Sequence, residues 1–227
     1  MPGPGAWAHL ASGYRQTGPS SSMTRDTIED PESHAAILEY AAPIEFVFDE
    51  ITGPTATIEQ TEIPRHLPSF AAGIRNAMRR EPTTIIVGEC RDAETMTAAT
   101  NAALTGHRVY TTVHAASVAE TMQRIVSLCR AEERISLTVA IAQTMRLIVN
   151  QRLVYSTDGR RTALREFLPF TPAVREIFLN ASPDDWHKVA RIALPKHGQT
   201  FAIAAQCAVD EGRITEDVAR PFLAEAA

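Results

Sequence analysis

The amino-acid sequence predicts an α/β fold: a parallel or mixed sheet covered by helices, with a helical C-terminal part. Three observations predict it. "TTIIV", Thr83 to Val87, is a short, almost wholly apolar run, as expected of a strand buried on both faces. It opens a strand, helix, strand, helix order, and such a crossover is right-handed and makes its two strands parallel. From Thr171 onward, successive segments carry helical periodicity.

The elements follow in order. Residues 1–22, "MPGPGAWAHLASGYRQTGPSSS", are rich in Gly, Pro and Ser without periodicity and are expected to be an irregular leader. A short strand is expected around Ile37 to Tyr40, and the weakly alternating "ATIEQTEI" is a candidate for another. "LPSFAAGIRNAMRR" puts Leu67, Phe70, Ala71, Ile74 and Met78 on one helical face. Arg75, Arg79 and Arg80 crowd its carboxyl end, and Pro82 stops it. After "TTIIV", Asp92 is a plausible N-cap for a helix through Ala93, Met96, Ala99 and Ala103 that ends at Gly106. "RVYTTV" is the next strand, and Ser117 with Glu120 forms a capping-box pattern before a further apolar helix face. "RLIVNQRLVYSTDGRRTALREFLPF" reads as two strands around Asp158-Gly159, with a loop that can exceed two residues. Thr171-Pro172 and Thr215-Glu216 resemble helix starts, and Gly212 a stop. The expected division is a core over 23–170 and a helical C-terminal subdomain over 171–227.

At 227 residues the chain is long enough for one substantial domain with a smaller appendage. Hydrophobic content of 44% with 22% charged residues belongs to an ordinary globular protein. No apolar run reaches the length of a membrane span and no basic-then-apolar signal opens the chain, so a cytoplasmic location is expected. A net charge of -5 excludes nonspecific coating of nucleic acid, and no direct sequence-specific nucleic-acid partner is expected. Cys90, Cys129 and Cys207 lack metal-ligand spacing, and their odd number argues against a disulfide framework.

Ligands of open parallel sheets gather outside the carboxyl ends of the strands. Gly88-Glu89 leaves one strand there and His114 leaves the next. If those strands are adjacent the two groups start about 5 Å apart, and about 10 Å apart with one strand between them. Either spacing brackets a small anionic ligand and its metal. A carboxylate so placed holds magnesium or orients a nucleophilic water, and a nearby imidazole hydrogen-bonds a terminal phosphate. The plainer alternatives are that Glu89 caps the helix beginning near Asp92 and that His107, after Gly106, is a loop histidine. A zinc site from Glu89, His107 and His114 lacks the compact ligand spacings such sites show.

"TTIIVGECRDAET" followed by "ALTGHRVYTTVHAASVAETMQRIV" resembles the atypical Walker B region and histidine box of the secretion motor ATPases. These are hexameric RecA-like enzymes of type II secretion, type IV pilus dynamics and type IV secretion. "EYAAPIEFVFDEI", "TEIPRHLPSFAAGIRNAMRREP" and "LREFLPFT" are most similar to the branch serving conjugative transfer and Dot/Icm-type secretion, and "HGQTF" echoes a late motif of the pilus motors. The resemblance runs from about Arg25 to the carboxyl end. It implies ATP and Mg2+ as ligands, a homo-hexamer, and an inner-membrane secretion or conjugation complex as partner. Glu89 is then the Walker B acid and metal-holding group, beside Gly88, with Arg91 and Asp92 its companions. His107 and His114 are the histidine-box residues, and Thr112 lies along the same strand edge. Where the family carries an acidic pair before Pro-Ile-Glu, this chain reads Ala41-Ala42-Pro43-Ile44-Glu45. Only Glu45 keeps register as a catalytic acid, with Glu29 and Asp30 of "TIEDP" a weaker alternative.

A P-loop, GxxxxGK[ST], wraps phosphates in backbone N–H groups and neutralises them with lysine. No such motif occurs here, and the only lysines are Lys188 and Lys196. "QTGPSSSMTRD" resembles a family P-loop with its centre removed. The family's amino-terminal sensor domain also has no counterpart, so a truncated motor is expected. Losing several charge-assisted hydrogen bonds, each about 1.5 to 3 kcal/mol, is expected to weaken nucleotide binding by orders of magnitude. The rivals are a noncatalytic interaction subunit and a decayed fragment.

Overall fold

The structure, a computed structural model, describes residues 6–13, 35–48 and 56–224. Its strands are β1 (Ala6–Gly13), β2 (Ala36–Ala41), β3 (Thr57–Glu62), β4 (Thr84–Val87), β5 (Arg108–Thr112), β6 (Met145–Tyr155) and β7 (Arg161–Pro169). They form one seven-stranded sheet in the order β3-β2-β4-β5-β1-β6-β7. Every neighbouring pair is parallel except β6 with β7, which is antiparallel. The β6–β7 turn spans 156–160, longer than two residues, with Gly159 at a φ of 78° that suits only glycine without strain.

The leader expected to be irregular contains β1, which lies between β5 and β6 and pairs with both. "AWAHLASG" shows no regular alternation of apolar and polar residues and carries no β-branched residue, so neither cue for a strand is present. The P-loop-like "QTGPSSSMTRD" and the weaker acid pair Glu29 and Asp30 lie outside the described residues.

Helix α1 (Phe70–Ala77) is shorter than the segment predicted for it. Ser69 caps it, accepting from the Ala72 amide at 3.2 Å, so Leu67 stands before the helix. At the other end Arg79 and Arg80 donate to Asn76 and Ala77 carbonyls, a tightened turn, and Glu81 takes a φ of 53° ahead of Pro82. Helix α2 (Ala93–Leu104) starts at Asp92 and gives way to Gly106 at a φ of 104°, as its sequence predicts. Helix α3 (Val118–Leu128) has Ser117 accepting from the Glu120 amide, while the Glu120 carboxylate accepts from Ala116 at 2.9 Å. The reciprocal bond of the capping box is thus displaced by one residue. Helix α4 (Arg134–Thr144) has no sequence signal: its cap position makes no side-chain bond, and it is rich in β-branched Ile135, Thr138, Val139 and Ile141.

The C-terminal segments form α5 (Pro172–Leu179), a 3-10 turn at Pro183–Asp185, α6 (Trp186–His197), α7 (Phe201–Asp210) and α8 (Glu216–Ala224). Thr171 and Thr200 cap α5 and α7, and Gly212, at a φ of 68°, closes α7.

All four residues of β4 are buried, because the sheet is covered on both faces there. One face carries the main core, in which Ile85, Val109 and Ile148 meet Ile74, Met96, Met122, Ile125 and Ile141. Helices α5 and α6 share it through Phe170, Phe178 and Trp186, whose indole N–H donates to the Phe178 carbonyl at 3.1 Å. The opposite face holds a small cluster of Ile37, Ile86 and Phe48. A separate cluster of Leu164, Phe201, Ala205 and Phe222 joins α7 and α8 to the far end of the β6–β7 hairpin.

Candidate functional site

Strands β4 and β5 pair in register, Val87 opposite Thr111, so Gly88-Glu89 and His114 leave the carboxyl edge of adjacent strands. The nearer of the two predicted spacings holds. Glu89 Oε1 lies 3.1 Å from His114 Nε2, and Oε2 accepts from Arg91 Nε. The carboxylate is sheltered at 15% exposure, whereas the imidazole is 77% exposed.

The surrounding residues position this pair. Gly88 donates to the Tyr40 carbonyl at 2.7 Å, and a Cβ on it would stand 3.1 Å from that oxygen and 3.3 Å from Ala41 Cα. Glycine therefore lets the end of β4 close on the end of β2. The Thr112 hydroxyl donates to the Gly88 carbonyl, and the Cys90 amide donates to the Thr112 carbonyl at 2.9 Å, fastening the turn after β4 to β5. Asp92, not Glu89, caps α2: Oδ1 accepts from the Thr95 amide at 2.8 Å. The plainer reading of Glu89 as a helix cap is thereby replaced, and its carboxylate faces the rim. Cys90 is buried, and desolvation, aided by the Asp92 charge, pushes its thiol up to about 12.

Two predicted residues stand elsewhere. His107 precedes β5 at the amino edge of the sheet, half-buried, its Nδ1 2.9 Å from the Pro82 carbonyl oxygen. Glu45 is exposed in the loop leaving β2 at the carboxyl edge. Gln60 of β3 pins that loop, accepting from the Phe48 amide at 3.0 Å and donating to the Phe46 carbonyl at 2.7 Å. Ala41 sits at the end of β2 against Gly88.

Among the described residues no three metal-ligating side chains cluster. A single carboxylate beside an open rim fits Mg2+ brought by a phosphate and largely hydrated, rather than a caged ion.

Sequence reasoning missed the residues that hold the histidine loop. On the helix-covered face, Asn150 of β6 stands directly opposite Glu166 of β7, both buried. Asn150 Nδ2 donates to the Ala115 carbonyl at 3.2 Å, and its Oδ1 accepts from Thr121 at 3.3 Å. Glu166 Oε1 accepts from the Val118 amide at 2.6 Å, at the positive end of α3. Arg152 Nη2 donates to the Ala116 carbonyl at 3.2 Å. The available signal was Glu166 between Leu164 and Leu168, a carboxylate on an apolar strand stripe.

The helix-covered, mostly parallel sheet is a RecA-like fold, matched by solved ATPase structures. A family profile described as "Type II/IV secretion system protein" matches residues 35–220. The chain belongs to that family of secretion motor ATPases. It is 30% identical to the type IV pilus retractation ATPase PilT of Pseudomonas aeruginosa, over 93% of this chain and 61% of that relative. The crystal structure of the Legionella pneumophila ATPase DotB matches 99% of this chain and 61% of its own, at 44% identity and a TM-score of 0.91. The pilus retraction motor PilT with bound ADP matches 96% of this chain and 61% of its own, at 27% identity and a TM-score of 0.80. The chain thus spans about three-fifths of the length of these relatives. Among the described residues no helix is long and apolar enough to cross a membrane.

Proposed function

We propose that this chain supplies the hydrolytic rim of an ATP-driven motor subunit in a secretion, conjugation or pilus apparatus. The motor works as a cytoplasmic homo-hexamer at the inner membrane. The observation that carries the reading is the Glu89–His114 pair, 3.1 Å apart on the rim of adjacent parallel strands. Similarity to a motor solved with ADP supports it. Mg2+·ATP, when bound, supplies an activated terminal phosphoryl group. Glu89, oriented by Arg91 and His114, is placed to align or deprotonate an attacking water; His114 holds Glu89 through Nε2, and most of its ring stays exposed at the rim where a phosphate would approach. Glu45, exposed on the same edge, is a second candidate acid. Arg75 and Arg80, ion-paired to Glu94 and Glu59, belong to exposed helix-end networks within the subunit.

The rival reading is a noncatalytic interaction subunit. It is favoured by the absence of GxxxxGK[ST] from the sequence between β1 and β2. Purified protein separates the two. Magnesium-dependent ATP turnover that Glu89→Gln abolishes supports the motor, whereas no binding at millimolar ATP with retained self-association supports the interaction subunit.

A further inference from the structure

The polar residues Asn150, Arg152 and Glu166 lie between two apolar clusters on one face of the β6–β7 hairpin. Alternate residues of a strand share a face, so Ile148, Asn150, Arg152 and Val154 form one row and Leu164, Glu166 and Leu168 the opposing row. Ile148 and Leu168 belong to the main core; Leu164 and Val154 belong to the cluster of α7 and α8. Residues 115–118 meet the hairpin at the polar interval between them.

Arg152 touches both sides of that interval. One guanidinium nitrogen donates to the Ala116 carbonyl, two residues after His114. Its guanidinium carbon lies over the ring of Phe201 in α7, 4.7 Å from the centroid, and over that of Phe222 in α8, 5.6 Å from the centroid. A planar, weakly hydrated cation stacks on aromatic rings while its edge donates hydrogen bonds, which an ammonium on a flexible stem does not reproduce. The α7–α8 pair also follows the hairpin tip: Thr157 donates from its amide to the Arg213 carbonyl at 3.0 Å and from its hydroxyl to the Gly212 carbonyl at 2.8 Å.

We infer that Arg152 is a positioning residue that couples the seat of α7 and α8 to the loop carrying His114. Displacing either helix shifts the aromatic platform, tilts the guanidinium and loosens the Ala116 carbonyl. The loop then loses a side-chain anchor that it shares with Asn150 and Glu166 on the hairpin. The consequence for hydrolysis rests on the reading of Glu89 and His114 given above, but the coupling itself is measurable without nucleotide. Absent ATP binding therefore sinks that reading and leaves this one standing.

The test is amide hydrogen exchange on the full chain, followed at Ala116 and Val118, whose N–H groups are bonded to Glu120 and Glu166. Arg152→Met, which keeps an apolar stem and removes the donors, is expected to speed both amides about tenfold, with Val109 and Ile148 in the sheet unchanged. Arg152→Lys restores part of the protection, having a donor without a stacking plane. Phe201→Leu and Phe222→Leu, with Arg152 intact, are expected to move the same two amides and to shift the His114 ring resonances. Wild-type exchange at Ala116 and Val118 in Arg152→Met, or in both phenylalanine variants, overturns the proposal. Uniform acceleration across the sheet also overturns it. If Arg152→Met does not fold, Phe222→Leu, altered at the end of the chain, decides by the same two amides.

Discussion

His107 and His114 stand at the two ends of one strand, and the sheet gives them opposite environments. At the amino edge the His107 ring is half-buried and bonded to the Pro82 carbonyl, fastening the start of β5 to the turn before β4. At the carboxyl edge the His114 ring is mostly exposed and holds a sheltered carboxylate. Residue type is identical, so the difference comes from the direction of the parallel strands. Chain entering the sheet is packed beneath helix ends, whereas chain leaving it opens into loops that a ligand can reach.

The most severe test of that contrast is chemical. Glu89→Gln retains the shape of the side chain and an acceptor but removes its charge and basicity. Magnesium-dependent ATP turnover is expected to fall at least about 100-fold. The melting temperature should hardly change, because the partners Arg91 and His114 are exposed and such pairs contribute little stability. His107→Gln, assayed beside it, should leave turnover within about twofold. Equal losses from the two edges would erase the distinction between them.

The buried anchors of the rim come next. Glu166→Leu leaves the Val118 amide without its acceptor at the start of α3 and is expected to cost about 1–3 kcal/mol in denaturant unfolding. Glu166→Gln keeps an acceptor and should cost less. If Glu166→Leu is neutral, the histidine loop is held by Asn150 and Arg152 without it, and the carboxyl edge is less firmly built than the contacts imply.

These tests fall on residues of very different legibility. The strand, helix, strand, helix unit around Glu89 could be read because its cues are local: an apolar run, Asp92 at a cap, and Ser117 with Glu120. Parallel direction then puts Glu89 and His114 on one rim. The family resemblance pointed to the same residues, but it grouped His107 with them, and only the bounds of β5 separate the two rings. Asn150, Arg152 and Glu166 contact a loop 35 to 48 residues away in sequence, a separation that leaves no periodic trace. Strand β1 was illegible for a different reason. It has neither alternation nor β-branched residues, and its place depends on pairing with β5 and β6. Helix α4 likewise owes its conformation to burial of Leu137, Ile141 and Ala142 rather than to propensity or capping.

At the amino edge the expected effect is smaller and purely structural. His107→Ala removes one hydrogen bond from a half-buried ring and should lower stability by about 1 kcal/mol. Asn or Gln at that position should recover part of the loss where the side chain can still reach the Pro82 carbonyl. Stability curves for the three variants sharpen the comparison: a loss in turnover without a loss in stability would move His107 to the other side of it.

The smallest effect at neutral pH belongs to Cys90, one residue from Glu89 and yet on the packed side of the same edge. Its thiol is pushed up to about 12 by burial, and that of Cys129 to about 11, so neither forms a thiolate near neutrality. Iodoacetamide should therefore modify exposed Cys207 in the folded chain and spare the other two until it unfolds. The same shift fixes the sign of a pH dependence. An acid whose folded pKa is raised leaves stability intact below its unfolded value, about 8.5 to 9, and withdraws it as pH rises toward the folded one. Unfolding free energy should decline between about pH 9 and pH 12, with Cys90 accounting for a loss of about 1 to 2 kcal/mol by pH 10. Cys90→Ala changes the level of the curve through packing, so the slope is the quantity to compare. A flatter alkaline limb in Cys90→Ala confirms that the rim is dry one residue behind Glu89. An unchanged slope with rapid labelling of Cys90 would mean that water enters behind the carboxylate, and the shelter around Glu89 would then be shallower than its contacts indicate.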